Sequence, residues 1–148
     1  MIKYVCVVDD DTYKRKRVVD SAKILFPGAK IYTTPYANEL LMFVHMDCLG
    51  RILECPDEWL MLVDRQMPFE KGGRVEIDCG VSVLKEMDRK RLKCPAVIVS
   101  AEGLSKEMSQ EVQCYSGYKG FVRYGACRDL EEPLRGLLAD YLNDSVEK

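Results

Sequence analysis

Tyr4-Val5-Cys6-Val7-Val8-Asp9-Asp10-Asp11-Thr12 is the segment from which the architecture can be argued. Its first five residues are apolar without alternation, the pattern of a strand covered on both faces, because a strand open to water on one side alternates. The run stops abruptly at three aspartates. Asp11 or Thr12 is placed to cap a following helix, in which Val18, Ala22 and Leu25 fall on one face at i, i+4 and i+7. A buried strand leading directly into an amphipathic helix is the first half of a βα unit.

The same rhythm continues along the chain. Pro27-Gly28 stops the helix, and a weaker strand is predicted over Ala29 to Thr33. A helix from Ala37 to Ile52 carries Leu40, Leu41, Val44 and Cys48. Trp59 to Val63 reads as a strand ending at Asp64, with Met67-Pro68 leading into a loop. Val81 to Met87 has helical spacing, and Pro95 introduces a strand from Ala96 to Val99 that closes at Ser100. A polar helix follows over Ser105 to Tyr115, then a short strand at Gly120-Phe121-Val122. The last helix spans Arg128 to Leu142, with Pro133 moving its true start towards residue 132. Five strands alternating with five helices predict an α/β domain whose mostly parallel sheet is covered on both faces.

Length and composition agree with one such domain. The 148 residues are 47% apolar and 31% charged, which excludes a disordered or collagen-like chain. No stretch approaches the roughly 20 apolar residues of a membrane span. Met1-Ile2-Lys3-Tyr4 runs straight into the first strand, so no signal peptide is expected, and no internal repeat or linker is evident. Residues 1–143 are expected to form the domain and residues 144–148 a frayed tail. A net charge of −2 argues against bulk electrostatic binding of nucleic acid. The seven cysteines (Cys6, Cys48, Cys55, Cys79, Cys94, Cys114 and Cys127) are odd in number and include no C-x-x-C pair. They read as thiols kept reduced in a cytoplasm, with Cys6 acting as a small hydrophobe.

In an open parallel sheet, ligands bind beyond the carboxyl ends of the strands. The predicted ends deliver Asp9 and Asp10 from the first strand, Asp64 from the third and Ser100 from the fourth. Carboxylates gathered at one edge repel one another unless a cation joins them, and an all-oxygen set suits a hard ion such as Mg²⁺. Asp9 to Asp11 also satisfy a plain capping role, since aspartate favours helix starts. A second acidic strand end at the expected place is what favours a cation site.

Taken together, Val7-Val8-Asp9-Asp10-Asp11, Leu62-Val63-Asp64-Arg65-Gln66-Met67-Pro68 and Pro95-Ala96-Val97-Ile98-Val99-Ser100-Ala101 resemble the receiver domain of bacterial response regulators, in order and over nearly the whole chain. The resemblance implies a flavodoxin-like, doubly wound five-stranded sheet of order 2-1-3-4-5 with five helices. It implies that Asp64 is the phosphoacceptor of a phosphorelay in two-component signal transduction, attacking a phosphohistidine on a sensor histidine kinase or histidine phosphotransfer protein. Asp10, Asp64 and the Gln66 carbonyl would bind Mg²⁺, with Asp9 assisting through water. Ser100 would bond the phosphoryl oxygen, and Phe121 would be the aromatic residue that moves with it. Such a phosphoprotein catalyses its own phosphoryl transfer and slow dephosphorylation and is not a conventional enzyme. Its signal would pass to a downstream effector protein, with no direct contact to nucleic acid or membrane.

The chain departs from that family in three ways. The family's last strand ends in Lys-Pro, whereas Tyr124-Gly125 stands here, and Arg123 is one residue off, on the opposite face of a regular strand. An acyl phosphate of roughly −2 beside Asp9 and Asp10 would then lack its lysine, so weaker switching is expected at Ser100, Phe121 and Tyr124. Phe69 to Gly80 forms a connection about six residues longer than usual, a lid, a docking loop or an inert insertion, in which Lys71 or Arg74 could supply the missing cation. The chain also ends after the fifth helix, as expected of a stand-alone receiver.

Other features have plainer readings. His45, with Asp47 and Cys48, lacks further paired ligands and reads as a packed or surface histidine. Lys14-Arg15-Lys16-Arg17 reads as a solvated, locally paired face, with partner docking as its functional alternative. Two competing functions remain: a degenerate receiver that binds a partner without phosphorylation, and a haloacid-dehalogenase-type phosphohydrolase with Asp9 as nucleophile. The second resembles Asp9-x-Asp11, but has Tyr13 where that family carries Thr or Val.

Overall fold

The computed structural model describes residues 1–42, 49–126 and 128–142. In chain order its elements are β1 (Tyr4–Val8), α1 (Thr12–Leu25), β2 (Lys30–Thr34), α2 (Ala37–Met42), α3 (Leu49–Glu54), β3 (Trp59–Val63), β4 (Met67–Pro68) and β5 (Val75–Glu76). There follow α4 (Cys79–Arg89), β6 (Ala96–Ser100), α5 (Lys106–Val112), β7 (Tyr118–Arg123), α6 (Glu131–Leu137) and α7 (Ala139–Leu142). The main sheet has five strands in the order β2-β1-β3-β6-β7, and every pairing in it is parallel. Counting only those strands, the order is the expected 2-1-3-4-5, so the α/β flavodoxin-like fold stands.

Alternation along β1 divides the interior in two. Cys6 and Val8 face a layer with Met61, Val63 and Ile98, closed by α2, α4 and α5 through Leu40, Leu84 and Val112. Val5 and Val7 face the other, with Leu60, Leu62, Val97 and Val99, closed by α1 and α6 through Val18, Ala22 and Leu134. All five residues of β3 and all five of β6 are buried, which is why these strands carry no polar alternation. The sheet therefore has apolar cover on both faces, and its polar chemistry is confined to its ends.

The helices differ in number from expectation: seven α-helices lie among the described residues where five helices were predicted. The predicted helix over Ala37 to Ile52 is represented by α2 and α3; Val44, His45, Asp47 and Cys48 lie outside the described residues. The last predicted helix is α6 followed by α7. Leu138, at φ −111° and ψ 20°, leaves the helical region between them, two residues after the poor helix former Gly136. Pro133 falls in the first turn of α6, where a missing N–H costs nothing. Phe69 to Gly80 is more ordered than a plain loop. Within it β5 pairs antiparallel with β4, which immediately precedes it, and the turn between them has the Gly73 N–H bonded to the Glu70 carbonyl at 2.9 Å.

Candidate functional site

The parallel register brings the carboxyl ends of β1 and β3 level, with Val8 opposite Val63. Asp9 and Asp64 are the next residues on each strand, and the Asp64 N–H bonds the Val8 carbonyl at 2.9 Å. Asp11 caps α1, its side chain accepting the Lys14 N–H at 3.0 Å, so the chain turns away immediately after Asp10. Asp9, Asp10 and Asp64 each offer an oxygen within 4.8 Å of the others. Asp10 and Asp64, with Asp11, Lys14, Gln66, Val75, Ser100, Glu102 and Tyr124, line a cavity of about 370 Å³, and Asp9 stands behind them. A larger groove of about 550 Å³ lies between α2 and α4, lined by Leu41, Met42 and Phe69, away from this chemistry.

Four consecutive basic residues predict a solvated face that includes Lys14; the structure buries it. Lys14 is 4% exposed, and its ammonium lies 2.9 Å from Asp9 Oδ2 and 2.9 Å from Asp64 Oδ1. The cause is helical phase: Lys14 stands one turn before Val18, on the same face as Val18, Ala22 and Leu25. Extending the apolar stripe backwards by four residues would have found it. Arg15 and Arg17, on neighbouring faces, are also engaged. Arg15 donates to the Asp9 carbonyl at 2.6 Å, and Arg17 donates to the Arg128 carbonyl at 3.1 Å.

Asp9 is fully engaged: Oδ2 pairs with Lys14 and Oδ1 accepts the Asp11 N–H at 2.9 Å. Burial, followed by the charge of Asp64, pushes its carboxyl up to about 7 against the pull of Lys14 and Asp11. Burial and Asp64 also raise Asp10. Burial opposes the Lys14 ammonium, but the charges of Asp64 and Asp9 outweigh it and hold Lys14 protonated, above its ordinary range. These directions are compatible because one ammonium is shared by a cluster of three carboxylates. The lysine gains more negative neighbours than it needs, while the acids remain short of positive charge.

The remaining predicted site residues are distributed unevenly. Ser100, at the end of β6, is buried at the cavity wall and accepts the Glu102 N–H at 3.3 Å. Gln66 lines the cavity. Phe121 is half-buried against the α4 and α5 layer and is not among the cavity residues. Tyr124 does line it, held between Lys14 and Arg17 at 5.9 Å and 5.3 Å from the ring centroid. The bulge that might have re-aimed Arg123 lies at the other end of β7, between the partners of Ala96 and Val97, and Arg123 is exposed. Lys71 and Arg74 are exposed as well, and neither lines the cavity.

The donor set fits a hard divalent cation: three carboxylates close enough to share one ion, with Gln66 on the same wall. The described cysteines (Cys6, Cys55, Cys79, Cys94 and Cys114) are free thiols outside the carboxylate cluster. Among the described residues no helix is long and apolar enough to cross a membrane.

No family model matches the chain, and no curated protein sequence does. Solved structures do resemble it. The signal receiver domain of a LuxO repressor protein from Vibrio parahaemolyticus is 17% identical, with a TM-score of 0.65 over 100% of this chain and 99% of that one. A mutant receiver domain of a histidine kinase from Arabidopsis thaliana is 18% identical, with a TM-score of 0.64 over 99% and 91%. The BeF3-activated DrrB receiver domain is 14% identical, with a TM-score of 0.61 over 97% and 99%. With a five-stranded 2-1-3-4-5 sheet and an acidic cluster at its carboxyl edge, the chain has the fold of the response regulator receiver domains.

Proposed function

We propose that this chain is a receiver that accepts a phosphoryl group on Asp64 with Mg²⁺ and passes the signal on through protein contact. The observation that carries this reading is the convergence of Asp9, Asp10 and Asp64 within 4.8 Å at the end of a receiver-type sheet. Asp64 is the better nucleophile of the three. Asp9 uses both oxygens, whereas Asp64 commits Oδ1 to Lys14 and Oδ2 takes no hydrogen bond from any described residue. The same contrast weighs against a phosphohydrolase that would use Asp9.

In the reaction, an Asp64 oxygen donates a lone pair to phosphorus as the bond to the donor breaks. From a phosphohistidine, the P–N electron pair leaves with imidazole, which takes a proton from water. The Asp64 carboxylate ends as an acyl phosphate, and little covalent assistance is needed beyond placement and charge cancellation. Asp10, Asp64 and the Gln66 carbonyl would hold Mg²⁺, with Asp9 behind them. The bound ion supplies the positive charge that lets an anionic donor approach three carboxylates. Ser100 stands at the wall, where it can donate a hydrogen bond to a phosphoryl oxygen. A sensor histidine kinase or histidine phosphotransfer protein is the matching donor, an effector protein the matching output, and a reducing cytoplasm the compartment that suits the free thiols.

Acetyl phosphate with Mg²⁺, followed by mass mapping of the adduct, tests this. Modification is expected at Asp64 and is expected to vanish in Asp64→Asn. An adduct at Asp9 would replace this reading with the phosphohydrolase one. A folded chain that takes neither phosphoryl group nor beryllofluoride would favour the degenerate receiver, whose support is Tyr124 in the place of the family lysine.

A further inference from the structure

We propose that Lys14, delivered by α1, is a catalytic residue of phosphoryl acceptance, supplying from the first helix the positive charge that the last strand does not provide. The inference rests on the receiver reading. Tyr124 lines the cavity, while Arg123, Lys71 and Arg74 are exposed and stand outside it. Lys14 is the only lysine or arginine lining the cavity among the described residues. Its ammonium already touches the reacting carboxylate, at 2.9 Å from Asp64 Oδ1.

The arrangement also separates two kinds of cation. Lys14 takes Asp64 Oδ1 and Asp9 Oδ2, which leaves Asp64 Oδ2 outside the ion pair, and Asp64 and the half-buried Asp10 both line the cavity. An ammonium and a divalent ion can then share Asp64 without competing for one oxygen. Three carboxylates against one ammonium leave two negative charges, which one divalent ion cancels. When an acyl phosphate forms on Asp64, the carboxylate charge is replaced by a dianionic phosphoryl group, and an ammonium already seated at Oδ1 is positioned to pair with it. Lys14 is held there by Asp9 on one side and by the face of Tyr124, 5.9 Å away, on the other. The tyrosine at the family's lysine position thus serves as a wall for a lysine that arrives from elsewhere.

The test separates affinity for the metal from affinity for the phosphoryl group. Lys14→Met removes a positive charge beside the carboxylates, so calorimetry should show Mg²⁺ binding unchanged or several-fold tighter. Beryllofluoride binding at saturating Mg²⁺ should weaken by about tenfold or more, and the rate of Asp64 acylation by acetyl phosphate should fall by a similar factor. Mg²⁺ and beryllofluoride both binding more tightly would make Lys14 a blocking group and overturn the proposal, as would beryllofluoride binding that does not change. An unmodified chain that binds no beryllofluoride at all would instead refute the receiver reading itself. If Lys14→Met does not fold, ¹⁵N-lysine NMR of the unmodified chain decides. The Lys14 ammonium signal must shift when beryllofluoride is added to the Mg²⁺-loaded protein, and a signal that stays in place overturns the role.

Discussion

Gly80, the second residue of α4, lies against the strand end that carries Asp64, the proposed phosphoacceptor. Its N–H bonds the Arg65 carbonyl at 2.9 Å, and a Cβ built on it would fall 2.2 Å from the Asp64 backbone oxygen. That oxygen is main chain and cannot swing aside, so Gly80→Ala must displace the backbone that orients Asp64. A destabilisation of about 2 kcal/mol or more is expected in denaturant titration, with weaker beryllofluoride binding alongside it. Gly136 is the control: it lies inside α6 with nothing within 4 Å of its Cβ position, and Gly136→Ala should stabilise by about 0.5–1 kcal/mol. Equal effects at the two glycines would refute this account. Tyr115 and Cys94 show a related economy. The Tyr115 hydroxyl donates to the Cys94 carbonyl at 2.5 Å, and burial raises the Cys94 thiol to about 11, so this cysteine packs and does not react.

The connection after β3, whose Val75 lines the cavity, is tied down by one arginine. Arg65 Nε donates to the Ile77 carbonyl at 2.9 Å and its guanidinium also bonds the Gly103 carbonyl, tying the β4 and β5 pair to the segment that follows β6. Arg65→Ala should therefore raise amide exchange across residues 69–78 and around Gly103 while leaving β1 and β3 protected. Exchange that stays at the unmodified rate in that hairpin would show that β4 and β5 hold without the clamp. Patterns of this kind decide what could be read in advance. The strands were readable because burial on both faces removes polar residues from Tyr4–Val8 and Trp59–Val63 and leaves only the terminal Ser100 in Ala96–Ser100. Asp9, Asp64 and Ser100 followed because a strand end fixes where the next side chain can go. The hairpin was not readable, since Met67–Pro68 and Val75–Glu76 are too short to show a period. Lys14 was misread for a different reason: four consecutive basic residues look solvated until each is assigned its own face of α1.

Across the whole domain, two apolar layers enclose the sheet, and the charge burial they impose is concentrated at one edge. This gives the free protein a specific dependence on pH. Asp9 titrates at about 7 in the fold and near 3.8 as an ordinary aspartate. Between those values the native state keeps a proton that the unfolded chain has lost, so stability must fall as pH rises through that interval. Asp10 is shifted in the same direction and adds to the slope. Lys14 contributes the opposite kind of term, since its raised pKa stabilises below its ordinary value of 10.5 and is lost only above it, outside the window. Without divalent metal, the thermal midpoint should decline from about pH 4 to about pH 7, and Asp9→Asn should flatten that decline. The Mg²⁺ of the proposed function would bind the deprotonated cluster, so at saturating concentration it should raise the midpoint more at about pH 8 than at about pH 6. A midpoint that climbs with pH in the metal-free protein, or an Asp9→Asn variant with an unaltered slope, would mean that the fold does not hold Asp9 in the strained, charge-poor setting described here.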